Sequence, residues 1–212
     1  MPHQKDKKET RDTLQTGKEV QSNHKLTHTL PVADNLLEQK FTAETPNTIW
    51  VSNMTYIPTD EGWLSCAAHK DLFDGEIAAY ALGSRITKEL VIASLLMAVK
   101  RKRPLPGLIN HSDRGIQYCS SSEYQRLLDM FSMKASMSRK GNCYDNAPME
   151  SFWGAMKNEL VYHRRYATRE QAIREITEYI EIFYNRQRRQ ERLGYLSPAV
   201  YEQQFHERKK AA

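Results

Sequence analysis

Apolar and polar residues along the first half of the chain predict a run of strands. Apolar and β-branched side chains recur at period two over residues 47–57, which predicts the first strand. Two further apolar stretches, 63–69 and 76–82, are predicted as strands because polar, glycine-containing turns at 59–62 and 71–75 bound them. The three strands together predict an antiparallel meander.

The pattern then alternates between helical spacing and short apolar runs. Apolar residues on one stripe predict a helix from 87 to about 101, and Pro104 and Pro106 exclude its continuation. A short strand follows at 108–109, and it can lie parallel to the first strand because a helix separates the two. The other predicted elements are a helix at 121–131, a strand at 133–136 and a helix at 147–162. This order, βββαβαβα, predicts an α/β domain with a mixed five-stranded sheet flanked by helices.

The two ends of the chain differ from this central part. Residues 1–44 are polar and charged without an apolar period, and we interpret them as a partly disordered leader. The remaining residues divide into a core at 45–165 and a C-terminal helical extension at 166–212. The extension opens with a capping-box pattern at 168–171, continues at helical spacing to Phe183 and ends in a short closing helix.

Composition and charge limit the classes of protein to which this chain can belong. The 212 residues include 31 Lys and Arg against 26 Asp and Glu, a net charge of +5 that suits a polyanionic partner or an ordinary solvated surface. Cys66, Cys119 and Cys143 are widely spaced without a CxxC pair, which argues against a disulfide framework or a zinc site. No apolar run is long enough for a membrane span or a signal peptide, so we expect a cytoplasmic protein without a membrane partner.

Two acidic residues are the first candidates for chemistry. Asp113 follows the strand at 108–109, and Glu150 lies just inside the helix predicted from residue 147. Carboxylates presented by two different elements suit Mg²⁺, which takes one or two of them together with substrate phosphates. The alternative is structural: an Asp that caps a turn and a first-turn Glu that the helix dipole favours.

Three motifs in order extend this interpretation. They are HSDRG at 111–115, DNAPMESFW at 145–153 and YNRQRR at 184–189. With the order of elements, they resemble the catalytic protein of IS3-family bacterial insertion sequences. The resemblance spans about Leu30 to Phe205 and implies a ribonuclease-H-like fold of the retroviral-integrase type. It also implies transposition, with DNA at the element ends and target as partners, and assembly with itself or with other transposase chains.

The resemblance implies a catalytic triad of Asp, Asp and Glu that holds two Mg²⁺ or Mn²⁺ ions. By position the second and third acids are Asp113 and Glu150, whereas the first falls on Asn53, an amide. Two close cations repel one another unless an anionic ligand lies between them, and an amide supplies no charge there. We therefore expect impaired catalysis, or an inactive DNA-binding or assembly remnant. A free-standing ribonuclease is disfavoured by the motifs at 145–153 and 184–189.

The spacing also departs from the family. The stretch from Arg114 to Met149 is one residue longer than the family's usual spacing, and the extra residue is expected in the serine run at 120–122. A turn absorbs such an insertion at small entropic cost.

Nearby basic residues are candidates for holding DNA. Arg139 and Lys140 precede Gly141 on the loop before the Glu150 helix, and Lys157 lies two turns beyond Glu150. In these places they can contact backbone phosphates, which position a duplex without reading its sequence. A solvated charged surface is the alternative. The arginines at 186–192 have the same two interpretations, DNA contact or contacts that stabilise the fold.

Other polar residues near the motifs have weaker claims. His111 is interpreted either as a contact to substrate or as a hydrogen-bonded packing residue, and Asp71 as a substitute ligand for the missing acid. Asp145 and Asn146 are expected to shape the turn and cap the helix. Cys119 and Cys143 are expected to pack, because thiolates do not suit hard cations.

Overall fold

A computed structural model describes residues 32–115 and 121–211, and its centre is one mixed sheet of five strands. The strands are β1 (Ile49–Ile57), β2 (Leu64–Asp71), β3 (Ile77–Gly83), β4 (Ile109–Ser112) and β5 (Lys134–Met137). Their order across the sheet is β3-β2-β1-β4-β5. β1, β2 and β3 form the antiparallel meander, whereas β4 and β5 run parallel to β1 and to each other. This topology confirms the predicted α/β class.

Five α-helices surround the sheet in the part of the chain that the structure describes. They are α1 (Lys88–Lys102), α2 (Ser122–Met130), α3 (Ala147–Glu159), α4 (Arg169–Glu178) and α5 (Pro198–Ala211). Thr87, Ser121 and Thr168 each cap the helix that follows by accepting a backbone hydrogen bond, which explains why these helices start where the sequence predicts. α1 ends in a left-handed Arg103 immediately before the prolines. α3 ends at Glu159, before the predicted limit, and a short 3₁₀ turn (Val161–His163) follows.

Helices cover both faces of the sheet, and neighbouring residues of β1 point to opposite faces. Trp50, fully buried, packs with α1 and α2 on one face. Val51, also fully buried, belongs to the cluster on the other face, where Phe152 of α3 and Ile176 of α4 lie. The helix α3, which carries Glu150, is therefore held against the sheet by its apolar face.

The C-terminal extension shares this second core. After α4 the chain continues as a π-helical segment (Tyr179–Gln187), and its Tyr184 ring lies 4.8 Å from the ring of Phe152. Asn185 in the same segment is buried, accepts a hydrogen bond from Ile77 N at 2.9 Å and donates one to Ile77 O at 3.1 Å. A side-chain amide thus pairs with the outward-facing backbone groups of Ile77 on the edge strand β3, which sheets otherwise leave open to other strands.

The predicted leader lies partly outside the described residues, which begin at 32. Residues 32–44 follow the sheet edge without a helix or strand of their own: Met137 N donates to Asp34 O at 3.2 Å, and Leu36 N donates to Ser136 Oγ at 2.9 Å. Leu37 is 3% exposed and belongs to the core. Within the described part of the chain, no helix has the length and apolar character needed to cross a membrane.

Candidate active site

Asn53, Asp113 and Glu150 line one cleft, of about 310 Å³, beside the end of the interior strand β4. Asn53 and Asp113 come close because β1 and β4 are parallel neighbours. Ser52 of β1 pairs with Ser112 of β4, and Asn53 and Asp113 are the residues that directly follow this pair. Glu150 reaches the cleft from the first turn of α3. The structure therefore brings together the three positions that the sequence motifs single out, which are far apart along the chain.

The surroundings of Asp113 favour a cation beside it. Burial raises the pKa of Asp113, and the neighbouring Glu150 carboxylate raises it further, while a hydrogen bond of 2.9 Å from Gly115 N acts in the opposite direction. Removing Asp113 from water disfavours its charged form unless a positive partner compensates. A cation in this cleft would supply that compensation.

Asn53 brings an oxygen to the cleft but no charge. Its Oδ1 accepts a hydrogen bond of 2.6 Å from Met54 N, so one lone pair of the amide oxygen is already used by the adjacent backbone. Its partner on β2 is Ala68, which carries no functional group. Asp71, considered as a substitute ligand, pairs instead with Trp50 and accepts hydrogen bonds from Asn47 N and Phe73 N, and it does not line the cleft.

Asn146 has a role that the sequence interpretation missed. It precedes α3 but makes no side-chain cap; its Nδ2 donates instead to Ser52 O at 3.0 Å. This bond ties the start of the Glu150 helix to the residue before Asn53. Its Oδ1 is buried without a hydrogen-bond partner among the described residues, and Asn146 lines the cleft. The only signal in the sequence is an amide just before a helix whose first turn holds an acid.

Asp145 shapes the turn, as predicted, through the basic residue beside it. The side chain of Asp145 is fully buried and accepts hydrogen bonds from Arg139 N, Nε and Nη2 at 2.8–2.9 Å, and the Arg139 guanidinium holds the pKa of Asp145 well below its usual range. Arg139 lines the cleft and is 57% exposed, so its charge is partly compensated yet reachable. Lys140 is exposed on the same turn, and Lys157 lies half-buried on α3, two turns from Glu150.

Two other residues considered from the sequence, His111 and Cys143, are not candidates for catalysis or metal binding. His111 is fully buried, its ring nitrogens hydrogen bond with Ser136 Oγ and Ser138 Oγ at 2.8 and 3.2 Å, and burial lowers its pKa to about 4. It is the packing residue of the two alternatives. Cys143, expected to pack, is exposed on the cleft wall, so that expectation was wrong; Cys119 lies outside the described residues.

The donor set fits a hard divalent cation. Oxygen predominates among the donors that line the cleft: two carboxylates, the amide oxygen of Asn53 and the unpartnered amide oxygen of Asn146. Oxygen ligands are those that Mg²⁺ and Mn²⁺ prefer. Among the described residues that line the cleft, Cys143 is the one thiol, a ligand type that such ions disfavour.

A second group of acids lies elsewhere in the fold. Oxygens of Asp74, Glu76 and Glu202 lie within 4.8 Å of one another. Lys102 already supplies a positive charge to this group, with its Nζ hydrogen bonded to Glu76 Oε2 and 3.5 Å from Glu202 Oε2. We interpret it as a contact between α5 and the core.

Comparison with known proteins decides the family. Two models described as "Integrase core domain" match residues 43–143 and 150–205. The "Insertion element IS600 uncharacterized 31 kDa protein" of Shigella sonnei is 51% identical over 95% of this chain and 74% of its own length. The chain belongs to the IS3 family of insertion-sequence transposases. This confirms the resemblance that the three motifs indicate.

Other sequence relatives agree with this family. The "Transposase for insertion sequence element IS904" of Lactococcus lactis subsp. lactis (strain IL1403) is 45% identical over 79% of this chain and 66% of its own length, and "Transposase InsF for insertion sequence IS3fB" of Escherichia coli (strain K12) is 44% identical over 84% and 61%. The chain thus spans about two thirds of the length of these relatives.

The catalytic core domain of HTLV-2 integrase, solved in complex with magnesium, superposes with a TM-score of 0.58 at 17% identity, over 76% of this chain and 99% of that one. This likeness shows the fold, which is the ribonuclease-H-like fold of retroviral integrase cores, as expected.

Proposed function

We propose that this family member carries the DNA strand-transfer centre of an insertion-sequence transposase, with activity limited by Asn53. The observation that supports the proposal most is the convergence of Asn53, Asp113 and Glu150 on one cleft from three separate elements. Relatives named as transposases support DNA as the substrate.

The reaction has two displacements at phosphorus. Water attacks a phosphodiester at the element end, which breaks the P–O bond to the 3′ oxygen and leaves a 3′-hydroxyl and a 5′-phosphate. The 3′-hydroxyl then attacks a phosphodiester of another strand, and the leaving oxygen there takes up the proton. No bond to the protein forms in either step.

The residues of the cleft have separate roles in this proposal. Asp113 and Glu150 hold a divalent cation, which when bound stabilises the charge on the attacking and leaving oxygens. Arg139, Lys140 and Lys157 contact the DNA backbone and orient the scissile phosphate. Asn146 positions Glu150 by tying the start of α3 to β1.

Asn53 is the reason for the proposed limitation. The family position that it occupies carries an acid, and the amide removes one unit of negative charge from between two possible ions. One cation can still be held by the two carboxylates. A pair of ions lacks the bridging anion that offsets their mutual repulsion.

The second candidate function is a catalytically inactive DNA-binding or assembly protein, and Asn53 is the observation that favours it. Such a chain would occupy complexes with intact transposase copies or with itself. Both candidates share DNA as partner and place the chain in the cytoplasm with the bacterial nucleoid.

Strand joining tests the proposal and separates the candidates. A pre-cut oligonucleotide with a 3′-hydroxyl end is joined into plasmid DNA with Mg²⁺ or Mn²⁺, by the unmodified chain and by Asn53→Asp. We expect weak joining by the unmodified chain and much stronger joining by Asn53→Asp.

Glu150→Gln in the Asn53→Asp background is the matched control, since it removes one charge from an exposed side chain and leaves the fold intact. No joining by the unmodified chain, with DNA binding retained and joining by Asn53→Asp, would favour the inactive candidate. Full joining by the unmodified chain would contradict the limitation by Asn53.

A further inference from the structure

A second pocket, of about 340 Å³, lies on the other side of the start of α3 and is lined by positive charge. Lys70 of β2 and Arg188 and Arg192 of the C-terminal extension line it, together with Ser151 of α3 and Tyr184. None of the described residues that line it is acidic. Glu150 and Ser151 are sequence neighbours, so consecutive residues of α3 face the acidic cleft and this basic pocket.

Lys70 is unusual because its side chain is almost completely buried, at 6% exposure. Its Nζ donates to Pro148 O at 3.1 Å and lies 5.9 Å from the centre of the Tyr184 ring. A carbonyl and an aromatic face stabilise an ammonium, but neither neutralises it, and buried lysines are rarely found without a paired charge.

The two arginines of the pocket do not neutralise the Lys70 ammonium, because they are cations themselves. Arg188 lies 5.7 Å from the same Tyr184 ring and is paired with Glu159. Arg192 uses its Nε on Gln190 Oε1 and its Nη1 on Leu72 O, both uncharged acceptors.

The charges around Lys70 show what the pocket is missing. Burial, then Arg192 and Arg188, lower the pKa of Lys70 to about 7, and Asp74 is the charged group that opposes them. Two cations and one acid thus act on the charge of Lys70, while Glu159 is engaged by Arg188, and Asp74 is itself a poor anion because burial raises its pKa to about 8. An anion in the pocket would restore the balance.

We propose that the pocket formed by Lys70, Arg192 and Arg188 binds a phosphate group. The group comes either from a free phosphate or from a nucleic-acid backbone, and the second source rests on the proposed function. Arg192 and Arg188 supply planar donors of the kind that recognise phosphate oxygens, Lys70 supplies a point charge, and Ser151 supplies a hydroxyl.

The first test measures thermal unfolding of the full chain with inorganic phosphate against chloride at equal ionic strength. We expect phosphate to raise the Tm of the unmodified chain and of Arg174→Gln, an exposed arginine of α4 that makes the same change in charge. The rise should disappear in Lys70→Met and in Arg192→Gln, with affinity lowered about tenfold or more in each.

Arg192 is exposed, so Arg192→Gln tests the site even where Lys70→Met perturbs folding. An equal rise in all four proteins, or no rise in the unmodified chain, would overturn the proposal.

A pH series separates specific binding from a general salt effect. With sulfate as a tetrahedral anion that does not titrate in this range, affinity should fall as the pH rises through about 7, where Lys70 loses its proton. The dependence should vanish in Lys70→Met. A dependence that persists in Lys70→Met would contradict the assignment to this pocket.

The second arm identifies the source of the phosphate. Binding of a fluorescent DNA duplex is measured by anisotropy in EDTA, so that the acidic cleft and its cation do not contribute. Loss of affinity in Lys70→Met and Arg192→Gln but not in Arg174→Gln, with competition by phosphate, would assign the site to the DNA backbone. Unchanged DNA binding together with the phosphate-dependent Tm rise would assign it to free phosphate. The thermal test needs neither DNA nor divalent metal, so its outcome is independent of the strand-transfer proposal.

Discussion

Replacing Asn53 by Asp should raise the affinity of the cleft for Mg²⁺ by adding a third carboxylate beside Asp113 and Glu150. The two side chains have the same shape, and the aspartate oxygen can still accept the hydrogen bond from Met54 N, so local geometry should be retained. A unit charge about 4 Å from another is worth about 4 kcal/mol at an effective dielectric constant of about 20. This corresponds to an affinity gain of about a thousandfold.

The assay is thermal unfolding of the chain over a Mg²⁺ titration without DNA. Asn53→Asp should have a lower Tm than the unmodified chain in EDTA, because a third carboxylate then faces Asp113 and Glu150. At a Mg²⁺ concentration of about one hundred times its Kd, the variant should gain about 2.7 kcal/mol, or about 5–10 °C in Tm. The unmodified chain should gain far less at that concentration.

Asn53→Asp with Glu150→Gln is the control and should lose most of the gain. Identical Mg²⁺ curves for the unmodified chain and Asn53→Asp would show that the charge at position 53 has no part in holding the ion, contrary to this prediction.

Three further predictions concern the scaffold. Burial raises the pKa of Asp74 to about 8, so ionisation of Asp74 in the folded state opposes folding. The free energy of unfolding should therefore fall as the pH rises from about 4 to about 8. Chemical denaturation across this range should show a much flatter pH profile for Asp74→Asn. Asn185→Ala should lower the free energy of unfolding by about 2–4 kcal/mol, because the backbone N–H and C=O of Ile77 lose their partners, and urea denaturation measures this loss. Phe152→Ala should cost about 3–5 kcal/mol in the same assay, as Phe152 is 1% exposed and packs on Tyr184. A change below about 1 kcal/mol in either variant would contradict the packing described here.

The local elements could be predicted because their signals are local. The period-two pattern around Val51 and the capping residues Thr87 and Thr168 act within a few positions, and the structure confirms the elements that they predict. The π-helical segment after α4 could not be distinguished from α-helix, since the two share an apolar pattern and differ in their backbone hydrogen bonds.

The site divides in the same way. Asp113 and Glu150 could be chosen from residue type and position in a motif. The bond between Asn146 and Ser52 joins residues 94 positions apart, and that between Asn185 and Ile77 spans 108, so neither leaves a pattern in a local window. Lysine is usually exposed, so the burial of Lys70 could not be predicted from the sequence. It results from the packing of α3 and the C-terminal extension around this side chain.

The most direct test of the proposed site is to locate bound Mn²⁺ by anomalous diffraction in crystals of Asn53→Asp. We expect a peak in the cleft, within ligand distance of the carboxylates at 53, 113 and 150. A peak only at Asp74, Glu76 and Glu202, or no peak near Asp113 at a concentration that supports strand joining, would contradict it.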